Sequence, residues 1–162
     1  MLKVLGPMLL AALAVGAPSA SAAMQEYQKV KDIWQPAKTP PGGTPWKLLE
    51  TTKEITRNQA GTIYSKPIFP ASVRALNGKQ VKVAGWMSPL DAKARQGRFL
   101  LLAYPPGCPF HFHAMPNQFV DVHAAVPVAV NERDPMVIQG TLQLTGMDES
   151  GIFYRLVNAR KL

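Results

Sequence analysis

Short apolar or alternating segments, separated by turn-forming residues, dominate the chain from residue 73 to residue 159. Residues two apart in a strand point to the same side, so strict alternation is typical of a half-buried β-strand. Five such strands are predicted, over residues 80–90, 98–104, 117–126, 135–145 and 152–159. No strong helical pattern separates them. The chain is therefore predicted to be mainly β.

The five predicted strands follow one another at the spacing of successive hairpins. This spacing is the pattern of a small, strongly bent barrel. Gly85 and Gly140 lie in the middle of two of the strands, where a glycine permits the bends that a small barrel requires. We therefore predict a small OB-like five-stranded barrel, and a β-sandwich is the alternative.

A proline-rich segment precedes these strands. Residues 35–45 read QPAKTPPGGTP, and four prolines and two glycines in eleven residues are incompatible with a helix or a strand. We expect an extended strap on the surface of the domain. Residues 46–57 fit a strand and a helix equally, and residues 65–71, which contain Pro67 and Pro70, are expected to be irregular. The predicted organisation is an arm and strap over residues 23–72 and a barrel domain over residues 73–162.

The first 22 residues have the pattern of a cleaved secretory signal. Lys3 supplies a positive charge, residues 4–15 are almost entirely apolar, and residues 20–22 form a small A-x-A site. A membrane anchor is the alternative, but the apolar run is shorter than the roughly 20 residues that a bilayer requires. We therefore expect cleavage after Ala22, no transmembrane segment in the mature chain, and a periplasmic location.

The chain is basic, with a net charge of +8 and an isoelectric point near 9.8. Its lysines and arginines are scattered, which favours an ordinary solvated surface, and an anionic membrane surface or an acidic partner is the alternative. Nucleic acid, a frequent ligand of OB barrels, is not an expected partner of an exported protein. The carboxylates, Asp121 among them, are interpreted as solvated surface charges.

The only cysteine and all three histidines fall within the segment PPGCPFHFHAMPNQFVDVH. Cys108, His111, His113 and Met115 have the spacing C-x2-H-x-H-x-M. In an extended segment the two histidines and the methionine share one face. A thiolate with two imidazoles suits zinc, and an added thioether favours Cu(I). The segment therefore predicts a zinc or copper(I) site of Cys108, His111 and His113, with Met115 or His123 as the fourth ligand.

Two other interpretations of Cys108 remain open. It fits a buried structural thiol, which is common for a free cysteine. It also fits a reactive thiol with a histidine as its base, in a redox or hydrolytic enzyme. The sequence contains no C-x-x-C, G-x-S-x-G, HExxH or glycine-rich phosphate loop, so we expect no catalytic activity. A purely structural OB module for protein interaction is a further alternative.

Five motifs follow one another between residues 46 and 162. In chain order they are FPASVRALNGKQVKVAGWMSPL, a predicted buried strand that leads into the cysteine, a loop that ends in PNQFVDV, the segment IQGTLQL, and the segment YRLVNA. As a set they resemble an uncharacterised family of small exported bacterial proteins, a domain of unknown function. Cys108 and residues 109–118 match that family's cysteine and loop. Its members are often encoded beside ABC transporter subunits in zinc-regulated clusters. The resemblance implies an OB-like fold, a link to metal homeostasis and a non-catalytic accessory role, with an ABC transporter subunit or a periplasmic metal carrier as partner.

Overall fold

Seven strands and three short helical segments make up the computed structural model, which describes residues 35–106 and 114–162. In chain order these elements are α1 (Trp46–Leu49), β1 (Lys53–Gln59), β2 (Thr62–Ile68), α2 (Ala71–Arg74), β3 (Gln80–Pro89), β4 (Arg95–Leu102), a 3-10 helix (Pro116–Gln118), β5 (Phe119–Ala129), β6 (Met136–Leu144) and β7 (Tyr154–Lys161). None of the helices in this part of the chain is long and apolar enough to span a membrane. The predicted signal at residues 1–22 lies outside the described residues.

Strands β3 to β7 close into a barrel in the order β3-β4-β5-β7-β6, and β6 pairs back onto β3. All neighbouring strands are antiparallel except β5 and β7, which are parallel. The predicted mainly β fold with a five-stranded OB-like barrel is therefore confirmed, and the β-sandwich alternative is not what the chain forms. The five predicted strands correspond in order to β3, β4, β5, β6 and β7.

The barrel interior is packed with the alternate residues of these strands. Val120 and Val122 of β5 are completely buried. They belong to one core with residues from every other barrel strand and from α1 and α2, including Val83, Met87, Phe99, Leu101, Ile138, Leu142, Tyr154, Leu156, Leu49 and Val73. The interior of the barrel is therefore filled by these side chains.

Gly85 marks the point where β3 changes partner. Residues up to Gly85 pair with β6, and those from Trp86 onward pair with β4. A Cβ atom on Gly85 would lie 2.5 Å from the backbone oxygen of Leu102, which is too close for any side chain. A Cβ on Gly140 would lie 3.0 Å from the backbone oxygen of Val157. The pairing register of β6 and β7 shifts at this position. Both glycines therefore allow neighbouring strands to approach closely at irregular points of the barrel.

The proline-rich strap lies along the barrel without forming a helix or strand over residues 35–45. The Ala37 amide donates to the Ala103 oxygen at 2.8 Å, and the Thr44 amide donates to the Lys82 oxygen at 2.8 Å. Trp46, which follows the strap, is only 2% exposed, and its indole Nε1 donates to the Ala84 oxygen at 2.6 Å. The strap is thus connected to β3 and to the residue that follows β4.

Strands β1 and β2 form a separate antiparallel hairpin that the sequence did not reveal. The segment 46–57 contains both a helical turn and a strand, which explains its mixed pattern. Pro67 lies within β2 opposite Glu54, although residues 65–71 were predicted to be irregular. A strand in a two-stranded sheet has one free edge, where a residue without an N–H is tolerated.

Candidate functional site

Residues 103–118 connect β4 to β5, and hydrogen bonds hold the two ends of this connection together. The Ala103 amide donates to the Gln118 oxygen at 2.9 Å, and the Gln118 amide donates to the Met115 oxygen at 2.8 Å. The short 3-10 helix begins at Pro116, whose fixed φ suits the first position of a helix. The connection is therefore closed at its base by the protein itself.

Glu50, the residue after α1, anchors both ends of the same connection. The Tyr104 hydroxyl donates to Glu50 Oε1 at 2.9 Å, and the Gln118 amide nitrogen Nε2 donates to the same oxygen at 3.3 Å. Asn117 Nδ2 donates to the backbone oxygens of Glu50 and Thr52, at 3.1 and 3.0 Å. Burial and the neighbouring Glu50 carboxylate raise the pKa of Tyr104 to about 12, so its hydroxyl remains a donor across the physiological range.

Three of the predicted metal ligands, Cys108, His111 and His113, lie outside the described residues, so the metal site stays a prediction. Met115 is described and is 49% exposed at the end of the connection. Its amide donates to the Gln118 side-chain oxygen at 3.2 Å. The Met115 side chain is therefore accessible, and in the sequence it follows His113 by two residues.

His123 lies further along β5, four residues after Phe119, the first residue of that strand. Four residues of strand span about 13 Å. Its ring nitrogen Nε2 is 3.0 Å from Asp121 Oδ2, in a hydrogen bond. Among residues 35–106 and 114–162, no three His, Cys, Asp or Glu side chains are grouped closely enough to hold a metal ion. His123 therefore already has a carboxylate partner on its own strand, and the choice between Met115 and His123 as fourth ligand stays a prediction.

Asp121 is the centre of a charged cluster that the sequence did not reveal. Its side chain has no exposed surface, although it was interpreted as a solvated surface charge. Arg98 of β4 donates from Nε to Oδ1 at 2.8 Å and from a terminal nitrogen to Oδ2 at 3.2 Å. Arg155 of β7 donates from Nε to Oδ2 at 2.9 Å, and His123 contacts the same oxygen. We call these four residues the Asp121 cluster.

The register of the barrel explains how the Asp121 cluster forms. Arg98 is opposite His123 across β4 and β5, and Arg155 is opposite Asp121 across β5 and β7. Asp121 and His123 are two residues apart and therefore share a side of β5. A charged residue amid the apolar residues of a predicted strand is a signal for such a cluster, but its two arginine partners are 23 and 34 residues away in the sequence.

Asp121 is ionised because its partners outweigh the cost of burial. Burial alone would raise the pKa of this carboxyl, but hydrogen bonds from Arg98, His123 and Arg155 together lower the pKa below the ordinary value of 3.8. The same carboxylate raises the pKa of Arg98 through its hydrogen bond and its charge. The cluster is therefore a permanent arrangement of charges on three neighbouring strands.

Comparison with known proteins assigns a family to the chain. Residues 18–156 match the family model described as "Protein of unknown function (DUF3299)". The chain belongs to the DUF3299 family. A DUF3299 family protein from Pseudomonas aeruginosa PAO1, known from a crystal structure, is similar to it at 21% sequence identity, with 81% of this chain and 92% of that chain covered and a TM-score of 0.47. No curated protein matches this DUF3299 chain.

Proposed function

We propose that this DUF3299 chain is an exported, periplasmic accessory protein without catalytic activity, which binds zinc or Cu(I) through the connection between β4 and β5. One observation carries the proposal. The sole cysteine and two of the three histidines fall in a single connection whose two ends are held together by Glu50. Cys108, His111 and His113 are the ligands, and Met115 completes the set in preference to His123.

The closed base of the connection favours metal binding by this short segment. Bringing the ends of a flexible loop together costs entropy. Here the bonds from Ala103 to Gln118 and from both ends to Glu50 already close the loop in the folded protein. The entropy cost of closing this loop is therefore already met before a metal ion binds, and Pro109 within the segment has a restricted φ.

The remaining parts of the proposal rest on the sequence. The charged, apolar and small-residue regions of residues 1–22 support export. The resemblance supports a link to metal homeostasis, with an ABC transporter subunit or a periplasmic metal carrier as partner. A filled barrel interior supports a ligand site in a loop.

Calorimetric titration of the purified protein with zinc and with Cu(I) tests the metal site. We expect dissociation constants well below roughly 1 mM, the level at which binding is worth only about 4 kcal/mol. A double variant, His111→Ala with His113→Ala, should lose this binding, and Cys108→Ser should weaken Cu(I) more than zinc because thiolate is a soft ligand. Binding should also weaken as the pH falls through about 6.5, because a protonated imidazole cannot bind metal.

A methionine pair provides the matched control. Met115→Ala should weaken Cu(I) binding, whereas Met147→Ala, at a 66% exposed position in the β6–β7 connection, should leave it unchanged. Equal binding by the wild type and the double histidine variant, or none tighter than millimolar, contradicts the metal site.

In envelope extracts the protein should co-purify with a transporter subunit or a metal carrier. A turnover activity lost in Cys108→Ser would instead support a thiol enzyme.

A further inference from the structure

The two arginines of the Asp121 cluster use only part of their hydrogen-bonding capacity. A guanidinium has five N–H donors. Arg98 donates two of them and Arg155 donates one to Asp121. Within the part of the chain that the structure describes, the other N–H groups of both residues have no protein acceptor. Because the side chains of Arg98 and Arg155 are 50% and 31% exposed, these donors are accessible from solvent.

The cluster also carries excess positive charge. Two guanidinium groups surround a single carboxylate, and His123 adds no negative charge. The carboxylate is completely buried beneath its partners, so an approaching anion meets N–H groups and not the Asp121 oxygens. Asp148, in the β6–β7 connection, interacts with Arg155 electrostatically but does not form a hydrogen bond with it. The Asp148 carboxylate accepts a hydrogen bond from the Ser150 amide. One positive charge therefore remains without a bonded counterion.

The donors are held in place before any ligand arrives. Asp121 fixes both guanidinium groups through their Nε edges, and the residues that carry them lie on paired strands of a closed barrel. Fixed guanidinium groups suit oxyanions that accept several hydrogen bonds at once. A carboxylate is satisfied by one such group, whereas the several oxygens of a phosphoryl group can use donors from both.

We propose that the outer face of the barrel at Arg98, Arg155 and His123 binds a phosphoryl oxyanion. Asp121 positions the two arginines and does not itself contact the ligand. The site shares no residue with the proposed metal ligands Cys108, His111, His113 and Met115, and it does not depend on metal binding. A phosphoryl group can come from a soluble phosphate or from a lipid headgroup, and the experiment distinguishes these sources.

The test is calorimetric titration of the full chain with inorganic phosphate. Phosphate replaces chloride in the buffer, so that the ionic strength stays constant. We expect binding in the range of roughly 1 mM or tighter, accompanied by a shift of the His123 ring resonances in NMR spectra. Arg155→Gln should weaken binding by roughly tenfold or more, as expected for the loss of charge-assisted hydrogen bonds. Arg155→Lys, which keeps the charge but not the planar donor group, should weaken it less.

Arg160→Gln is the matched control, because Arg160 lies on the same strand and donates to Gln139 rather than to Asp121. It should bind phosphate like the wild type. Should Arg155→Gln fail to fold, Arg155→Lys and the His123 shifts in the wild type decide the question. No phosphate-dependent heat or His123 shift up to about 10 mM, or equal weakening by Arg160→Gln, overturns the proposal.

Vesicles identify the source of the phosphoryl group. The protein is sedimented with phosphatidylglycerol vesicles and with phosphatidylcholine vesicles at the same ionic strength. Retention on the anionic vesicles that Arg155→Gln reduces and Arg160→Gln does not indicates a lipid headgroup. Phosphate binding in the calorimeter without such retention indicates a soluble phosphate. Vesicle retention that is the same in both arginine variants, without phosphate binding, overturns the site.

Discussion

Asp121 is the only buried acidic side chain among residues 35–106 and 114–162. It links three strands, because Arg98 reaches it from β4, Arg155 from β7, and His123 from its own strand. A buried charge is retained only when its partners supply enough hydrogen bonds to replace water. The four contacts of this carboxylate meet that requirement.

Replacing Asp121 by Asn should destabilise the fold by about 1–3 kcal/mol at neutral pH, because two arginines lose their counterion but stay partly solvated. The folded-state pKa of Asp121 is lowered from 3.8. Its stabilising effect is therefore complete above the unfolded-state pKa and is lost as the pH falls through the folded-state value. The difference between wild type and Asp121→Asn should thus shrink below about pH 3.8.

Urea denaturation of both proteins at pH 7 and at pH 3 measures this difference. Asp134→Asn is the control, because Asp134 is exposed near the β5–β6 turn, and it should change the free energy of unfolding by no more than about 0.5 kcal/mol. An Asp121→Asn protein as stable as the wild type at pH 7 would show that the cluster contributes nothing to the fold.

Strand β3 is the element on which closure of the barrel depends, since it pairs with β6 before Gly85 and with β4 after it. A strand that serves two partners has to bend sharply between them. Here the bend brings the Leu102 oxygen to 2.5 Å from where a Gly85 Cβ would lie. A residue without a side chain is therefore required at this position for a steric reason.

Gly85→Ala should destabilise the protein by about 3 kcal/mol or prevent folding, because the methyl group would meet backbone and core atoms that cannot rotate away. Gly97→Ala is the matched control: Gly97 lies on β4, and a Cβ there would have no atom within 4 Å. That variant should stay within about 1 kcal/mol of the wild type, and slight stabilisation is the favoured direction. Thermal unfolding followed by circular dichroism compares the two, and similar effects would refute the close-approach explanation.

Across the whole molecule, the strap and α1 join the barrel through a few specific bonds. Trp46 is almost completely buried, and its indole donates to the Ala84 oxygen at 2.6 Å. Tyr154 extends the connection from inside the barrel, because its hydroxyl donates to the Leu49 oxygen at 2.6 Å. Residues 35–52 are therefore an integral part of the folded unit.

Trp46→Phe should lower the free energy of unfolding by about 2–4 kcal/mol, since it leaves the Ala84 oxygen without its donor and removes buried volume. Trp86→Phe, at a half-buried position on β3, should cost about 1 kcal/mol or less. Guanidinium denaturation of both variants provides the measurement. A single transition with the larger loss in Trp46→Phe is expected, and equal losses would mean that the strap is not coupled to the barrel.

Features that depend on local pattern could be predicted from the amino-acid sequence. Apolar runs and alternation located the barrel strands, because side-chain direction in a strand repeats every two residues. The prolines of residues 35–45 excluded regular structure there, because their effect on the backbone is local. The concentration of Cys108, His111 and His113 was likewise visible without coordinates.

The contacts between residues far apart in the sequence could not be predicted in this way. Arg98 and Arg155 reach Asp121 across 23 and 34 residues of sequence, and Glu50 holds Tyr104 and Gln118 across 54 and 68 residues. These contacts depend on strand order and register, which are set by packing of the whole core and not by any one segment. For the same reason Asp121, which resembled a surface charge in the sequence, is the buried centre of a cluster from three strands.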